Sequence, residues 1–358
     1  MSPVFTIIMP LYNHAAYVGQ AVESALLQTF GDFELVVCND GSTDASLPIL
    51  DSYSDKRIRV IDKPNGGTVS ALNACLLNAH GRYICWLSSD DLFAPDKLKL
   101  HYAHHRAKPE SALSFAPFGY LRNGSMVPDM QACPEARERL VQFLEGNYVN
   151  GLSVCADRAL YARYGLFDSR FRYAHDVERW FQFLAHHEAA YLEGPPQSYS
   201  RLLTGHVADA EILGELDVLK LLYTQLDAGG LKALLPASLR TDPLDADVLL
   251  MLLMRLFSPS NLLFRYQLGA DVTHMVARSL QAEKSQHLLP AIVGVLYDTI
   301  GNDRARIALD WTRQVERLVA QPALQPSLSF VEQVCRLRDG AESNDVRRVL
   351  SRYLRQGL

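Results

Sequence analysis

The sequence predicts an α/β domain, built on a mostly parallel sheet, followed by an all-helical domain. Three observations carry this expectation. Short apolar, β-rich runs alternate with segments of helical period through the first half of the chain. A polar, turn-forming segment follows each of the first four such runs. From about residue 211 strand signals vanish and helical periodicity takes over. The 358 residues suit two domains, placed at 1–210 and 211–358.

Residues 4–9 form the first apolar run. Residues 14–28 carry Tyr17, Ala21, Val22, Ala25 and Leu26 at helical spacing. Residues 33–38 read as a second strand, 44–53 as a helix and 57–61 as a third strand. Residues 68–79 are helical, with Val69, Leu72, Leu76 and Leu77 on one side. Residues 83–87 make a fourth strand. Pro95 opens another helix, because its fixed φ suits the first turn. Residues 113–118 make a fifth strand. This βαβα rhythm predicts helices on both faces of the sheet. Beyond residue 211, helices are expected over 213–226, 245–257, 272–282, 290–300, 304–319 and 346–354.

Hydrophobic residues make up 48% of the chain and charged residues 21%, enough for a core without disulfides. The net charge of -5 argues against a general nucleic-acid binder. Cys38, Cys75, Cys85, Cys133, Cys155 and Cys335 include no CxxC pair, so buried free thiols in a reducing compartment are expected. The first ten residues lack a signal-peptide pattern, and the longest apolar stretch, 248–254, is too short for a membrane span. The expected location is cytoplasmic, with peripheral contact at the inner membrane face left open.

In parallel sheets ligands bind beyond the carboxyl ends of the strands. Pro10-Leu11-Tyr12-Asn13, Asn39 to Asp44, Lys63-Pro64-Asn65-Gly66-Gly67 and Ser88-Ser89-Asp90-Asp91 all fall on that edge. Asp40, followed by Gly41 in a tight turn, can accept hydrogen bonds from a nucleobase N–H; it can equally cap the next helix, a task open to Ser42 and Asp44 as well. Asp90 and Asp91 repel each other, and a strand end tolerates such a pair when a cation is present. Oxygen-only ligation suits Mg²⁺ or Mn²⁺. The alternative is a pair of helix-capping carboxylates. Lys63, Asn65 and Gly66 precede a helix whose backbone N–H groups can face a nucleotide, or they form a plain turn. His101, His104 and His105 have zinc-compatible spacing, but no cysteine or carboxylate pattern supports them, so they read as a solvated or partly buried helix face. His186 and His187 read the same way.

Taken in order, the segments MPLYN, NDGSTD, KPNGGT and SSDD resemble family 2 glycosyltransferases of the GT-A fold, with the similarity running over residues 4–205. The resemblance implies inverting transfer of a sugar from a nucleoside-diphosphate sugar, UDP-sugar ahead of thymidine and guanosine forms. The acceptor hydroxyl would belong to a saccharide, lipid-linked or protein acceptor, in bacterial surface polysaccharide or glycoconjugate synthesis. By the same resemblance Asp40 binds the base, Asp91 the metal, and Asp90 the ribose or the metal shell. Pro10, Tyr12, Asn13, Lys63, Asn65 and Gly66 line the nucleotide. Asp176 occupies the general-base position of the family's acidic motif, with His175 where glutamate is usual. Tyr199, Arg201 and His206 resemble a later segment whose histidine completes the metal shell.

Asn39, Leu72 and His175 depart from the family pattern, Asn39 keeping an acceptor oxygen without the charge. Leu72 and His175 keep open a second reading, an inactive GT-A-fold scaffold. A third, nucleotidyltransferase, lacks its Gly-rich loop after the first strand. No GxGxxG or P-loop is present. Acceptor contacts are expected from residues 119–175, where Asn150, Ser153 and Arg158 are candidates, and from the helical domain, which can serve acceptor binding, homo-oligomer formation or membrane docking. In the tail, Val346, Leu350, Tyr353 and Leu354 share a face opposite most of Arg347, Arg348, Arg352 and Arg355. That helix can rest on anionic lipid or dock on its own domain.

Overall fold

A computed structural model describes residues 2–201 apart from 123–124, 130–132, 137–138, 145–147 and 172, and beyond these only 218, 221, 225, 230–241, 248 and 252. His206, the basic tail and nearly all the expected C-terminal helices lie outside the described residues. The chain divides into two compact units, 1–136 with 147–218, and 137–146 with 219–358. In the second, the described elements are 3₁₀ turns at Val141–Leu144, Gly230–Leu234 and Ala237–Leu239.

The first unit begins with β1 (Phe5–Leu11), α1 (Val18–Leu26), β2 (Phe33–Asp40), α2 (Ser46–Asp51), β3 (Ile58–Lys63), α3 (Thr68–Leu77) and β4 (Tyr83–Trp86). Then come β5 (Leu92–Phe93), α4 (Lys97–Ala107), β6 (Leu113–Phe115), β7 (Phe118–Arg122) and β8 (Ser125–Pro128). It ends with β9 (Val154–Asp157), α5 (Arg158–Tyr164), α6 (His175–His186), β10 (Ala189–Tyr191) and β11 (Ser198–Arg201). Seven strands form the main sheet in the order β10-β6-β9-β4-β1-β2-β3. β1 lies at its heart, parallel to both β2 and β4. It reads as an almost unbroken apolar run because helices cover both faces. Phe5, Ile7, Met9 and Leu11 pack with Val18, Ala21, Val22 and Ala25 of α1 in the main core.

The sheet is mixed rather than wholly parallel. β9 inserts antiparallel between β4 and β6. The expected fifth strand, 113–118, is in fact two: β6 ends in the main sheet, and β7 begins a second, four-stranded sheet ordered β5-β11-β7-β8. Pro117 stands between them and supplies no N–H for ladder pairing. β5 directly follows Asp91 and pairs antiparallel with β11. The second sheet therefore fixes the carboxylate pair. A two-residue strand carries no readable period, so no local pattern marks it.

Candidate active site

Because β1, β2 and β4 run parallel, their carboxyl ends open on one edge. There a cleft of ≈ 440 Å³ is lined by Pro10 near the end of β1, Tyr12 and His14 after it, Asp40 of β2, and Trp86, Ser88, Ser89 and Asp90 at the end of β4. Asn65, Gly67 and Thr68 close it from the start of α3. Lys63 and Gly66 line a neighbouring groove instead. Asn13, with φ 52°, does not line the cleft. Its side-chain oxygen accepts from Thr43 N at 2.8 Å and its backbone N–H donates to Ser42 Oγ at 3.0 Å, which joins the β1 and β2 loops.

Asp40 is buried, and its carboxylate accepts hydrogen bonds from Gly66 N at 3.0 Å and Gly67 N at 2.7 Å. The Lys63 ammonium pairs with the same group. Asp40 thus anchors the loop that starts α3, a link the sequence did not reveal. Asp44 instead holds the turn before α2, its oxygens accepting from Ser46 N and Ala15 N, each at 2.9 Å.

The acidic pair divides. Asp90 faces the cleft, and its carboxylate lies 3.8 Å from His14 Nδ1, which also meets Ser89 Oγ at 2.8 Å. Asp91 is 5% exposed and sits behind the lining, its Oδ1 accepting from Arg201 N at 2.7 Å. The Arg201 guanidinium donates from Nε to the Asp90 carbonyl at 2.9 Å and lies over the Tyr17 ring. Burial, then the charge of Asp90, push the Asp91 carboxyl up to about 8. Two adjacent carboxylates that are this costly to ionise together fit an oxygen-only divalent cation site of the Mg²⁺ or Mn²⁺ type. Among the described residues, His14 and Trp86 are cleft residues that sequence reasoning missed. His14 could have been found, since it continues the polar segment after β1. Trp86 reads simply as strand.

Asp176 lies in the first turn of α6, after the N-cap residue Ala174, and does not line the cleft. Its neighbour His175 lines the adjacent groove and stands 5.7 Å, ring to ring, from Trp86. Glu178 and Arg179 are both buried, and Arg179 donates to the carbonyls of Tyr164 at 2.7 Å and Leu166 at 2.6 Å. That ties α6, and with it Asp176, to the end of α5.

Other expectations need correction. Arg158 is not on an acceptor side; it lines a pocket at the opposite, amino-terminal edge of the sheet with Arg82 and Arg106. Asn150 caps the turn at Gly151–Ser153, and Ser153 is buried. His101 and His105 are buried rather than solvated, and Cys155 of β9 lies beside them, with one ligand atom of each within 4.8 Å of the others. Those imidazoles are already satisfied. His101 Nδ1 and His105 Nε2 share Ser114 Oγ at 2.8 and 2.9 Å, and the buried Lys97 ammonium meets His101 Nε2 at 3.2 Å. The set is a hydrogen-bonded core network.

Comparison with known proteins agrees with this architecture. Residues 6–156 match the model of glycosyl transferase family 2. An uncharacterised glycosyltransferase of Rickettsia typhi is 36% identical over 190 residues, covering 51% of this chain and 59% of that protein. A chondroitin synthase of Pasteurella multocida is 45% identical over 100 residues, covering 27% of this chain and 10% of that protein. The chain therefore matches only part of the length of these relatives. In fold, S. aureus TarS superposes with TM-score 0.51 at 19% identity, covering 98% of this chain and 55% of that one. A Pyrobaculum calidifontis mannosyltransferase solved with GDP-Man and Mn²⁺ gives TM-score 0.50 at 16% identity, covering 95% and 88%. The ordered cleft motifs, the mixed sheet with its flanking helices and these matches together place residues 6–156 of this chain in glycosyl transferase family 2, with a GT-A-like fold.

Proposed function

We propose that this chain is an inverting glycosyltransferase that binds a nucleoside-diphosphate sugar in the cleft between Asp40 and Asp90. The observation that carries the reading is the placement of these two carboxylates in one cleft at the carboxyl edge of a family 2 domain. Asp40 takes the base, sharing its oxygens with the loop amides it already holds. Pro10, Tyr12, Asn65 and Gly67 enclose the nucleoside, while Asn13, Lys63 and Gly66 hold the loops that shape it.

The divalent ion, Mn²⁺ or Mg²⁺, belongs to the Asp90–Asp91 pair. The sequence-level expectation gave it to Asp91; burial favours Asp90 as the group that meets it, with Asp91 held behind by Arg201. When bound, such an ion offsets negative charge on the departing diphosphate. Asp176 accepts the proton of the acceptor hydroxyl as that oxygen bonds to the anomeric carbon and the bond to the diphosphate breaks. His206 would complete the shell of such an ion. A UDP-sugar is the first donor to test, and the acceptor is a saccharide, lipid-linked or protein hydroxyl of a surface glycan or glycoconjugate. Among the described residues no helix is long and apolar enough to cross a membrane. Contact with a membrane surface through the basic tail belongs to the same proposal.

One observation favours a scaffold instead: the Asp40 carboxylate is already engaged by Lys63 and two amides. Thermal melts with Mn²⁺ and a panel of nucleoside diphosphates separate the two readings. A ligand at ~100 times its Kd stabilises by about 2.7 kcal/mol. The expected result is a shift with one diphosphate that requires Mn²⁺ and is lost in Asp90→Ala, together with sugar transfer that is lost in Asp176→Asn. No shift with any diphosphate at millimolar concentration would hand the fold to the scaffold reading.

A further inference from the structure

Trp86 closes β4 two residues before Ser88, and it joins features that the donor-site reading does not use. Its side chain lines the cleft together with Asp90 and Ala71. The backbone of Gly151 clamps the ring from behind: a Cβ there would lie 2.6 Å from Cε3 and 2.7 Å from Cζ3. Phe167 meets it edge-on at 5.9 Å and His175 lies tilted at 5.7 Å, so the ring is fixed on three sides. The indole N–H is buried and has no hydrogen-bond partner among the described residues. An orphaned buried donor carries a desolvation cost that phenylalanine would avoid in the same packing. Packing alone therefore does not explain an indole at this position.

The place of the ring suggests what does. Asp40, Asp90 and Trp86 line the same cleft. Trp86 also lies 5.7 Å, ring to ring, from His175, the residue before Asp176. If the base lies at Asp40 and the diphosphate at the acidic pair, the group beyond the diphosphate is the donor's sugar. A rigid, broad aromatic surface suits the apolar C–H face of a pyranose, while polar groups around it take the hydroxyls. We infer that Trp86 is a platform for the donor's pyranose ring, a specificity-determining residue for the sugar that leaves the nucleotide untouched. This inference rests on the donor-site reading proposed above.

The test measures dissociation constants in the presence of Mn²⁺ for UDP, GDP, UDP-N-acetylglucosamine and GDP-mannose. Wild type is compared with Trp86→Leu, Trp86→Phe and Gly151→Ala, the last of which pushes the ring without removing it. Diphosphate affinity is expected to stay within about twofold in all variants. The matching nucleotide sugar should weaken about tenfold in Trp86→Leu and less in Trp86→Phe, as pocket contacts of this size discriminate. Gly151→Ala should weaken the sugar form selectively too, and it carries the test if Trp86→Leu does not fold. Equal weakening of diphosphate and nucleotide sugar, or no change in either, overturns the platform while leaving the donor site standing. A wild type that binds no diphosphate at all overturns the donor site and this inference together.

Discussion

Burial beside Asp90 makes Asp91 a residue whose protonation is linked to folding. Its carboxyl is raised to about 8, against an unfolded value of about 3.9. The folded state keeps the proton longer, so the contribution is full below the unfolded value and is lost as pH rises through about 8. Without divalent cation, Asp91→Asn should be more stable than wild type at pH 8, with the gap closing toward pH 4. Urea melts across that range check it; a constant gap would show that ionisation of Asp91 costs the fold nothing. Asparagine keeps an oxygen for the Arg201 amide, so the variant isolates charge from hydrogen bonding. Arg201 itself acts through its backbone N–H and its guanidinium at once, which explains why a residue at position 201 steadies a pair at 90 and 91.

At the scale of elements, the site depends on loops held against each other more than on the strands that deliver them. Gly41 has φ +72°, and a Cβ there would lie 2.7 Å from Asn65 N. Backbone strain and contact with the α3 loop therefore act together. Gly41→Ala should destabilise by about 2 kcal/mol or more and weaken diphosphate binding, since the displaced loop carries the amides that orient Asp40. Thermal melts with and without diphosphate read both effects; unchanged binding would mean that the Asp40 loop does not shape the nucleotide site. Elements beyond the main sheet matter equally. β5 and β11 together hold Asp91, and α6 is set by the Arg179 hydrogen bonds to the end of α5. All of these links are long-range, and none has a local sequence signature.

Across the whole molecule, two buried sets bend the pH dependence of stability in opposite directions. His105 is pushed to about 4, and His101 well below its usual value, both by burial first. A histidine with a depressed value gives stability that is full above its unfolded pKa of about 6.5 and is lost as pH falls toward the folded one. The acid limb should therefore shrink in His105→Gln, while the basic limb, set by Asp91, stays in place. Melts from pH 4 to 8 test this; an unaltered acid limb in the variant would place that loss on other groups. Among the described residues, Cys38, Cys75, Cys85 and Cys155 are buried and form no disulfide, so these thiols act as core residues here.

Periodicity and turn chemistry were enough to establish the alternating strands and helices of the first half, and motif order was enough to recognise the family. Those signals are local: a strand's alternation or a turn's glycine is written in adjacent residues. The cleft edge was legible for the same reason, since parallel strands must deliver the segments after β1, β2 and β4 to one side. Tertiary structure alone decided which of two adjacent aspartates faces the cleft, because their division rests on Arg201, 110 residues later in the chain. It alone turned a fifth strand into two, buried the His101–His105 face against Cys155, and brought Trp86 to the cleft wall. Each depends on packing between segments distant in sequence, where hydrogen bonds and burial are settled by neighbours that no local window contains.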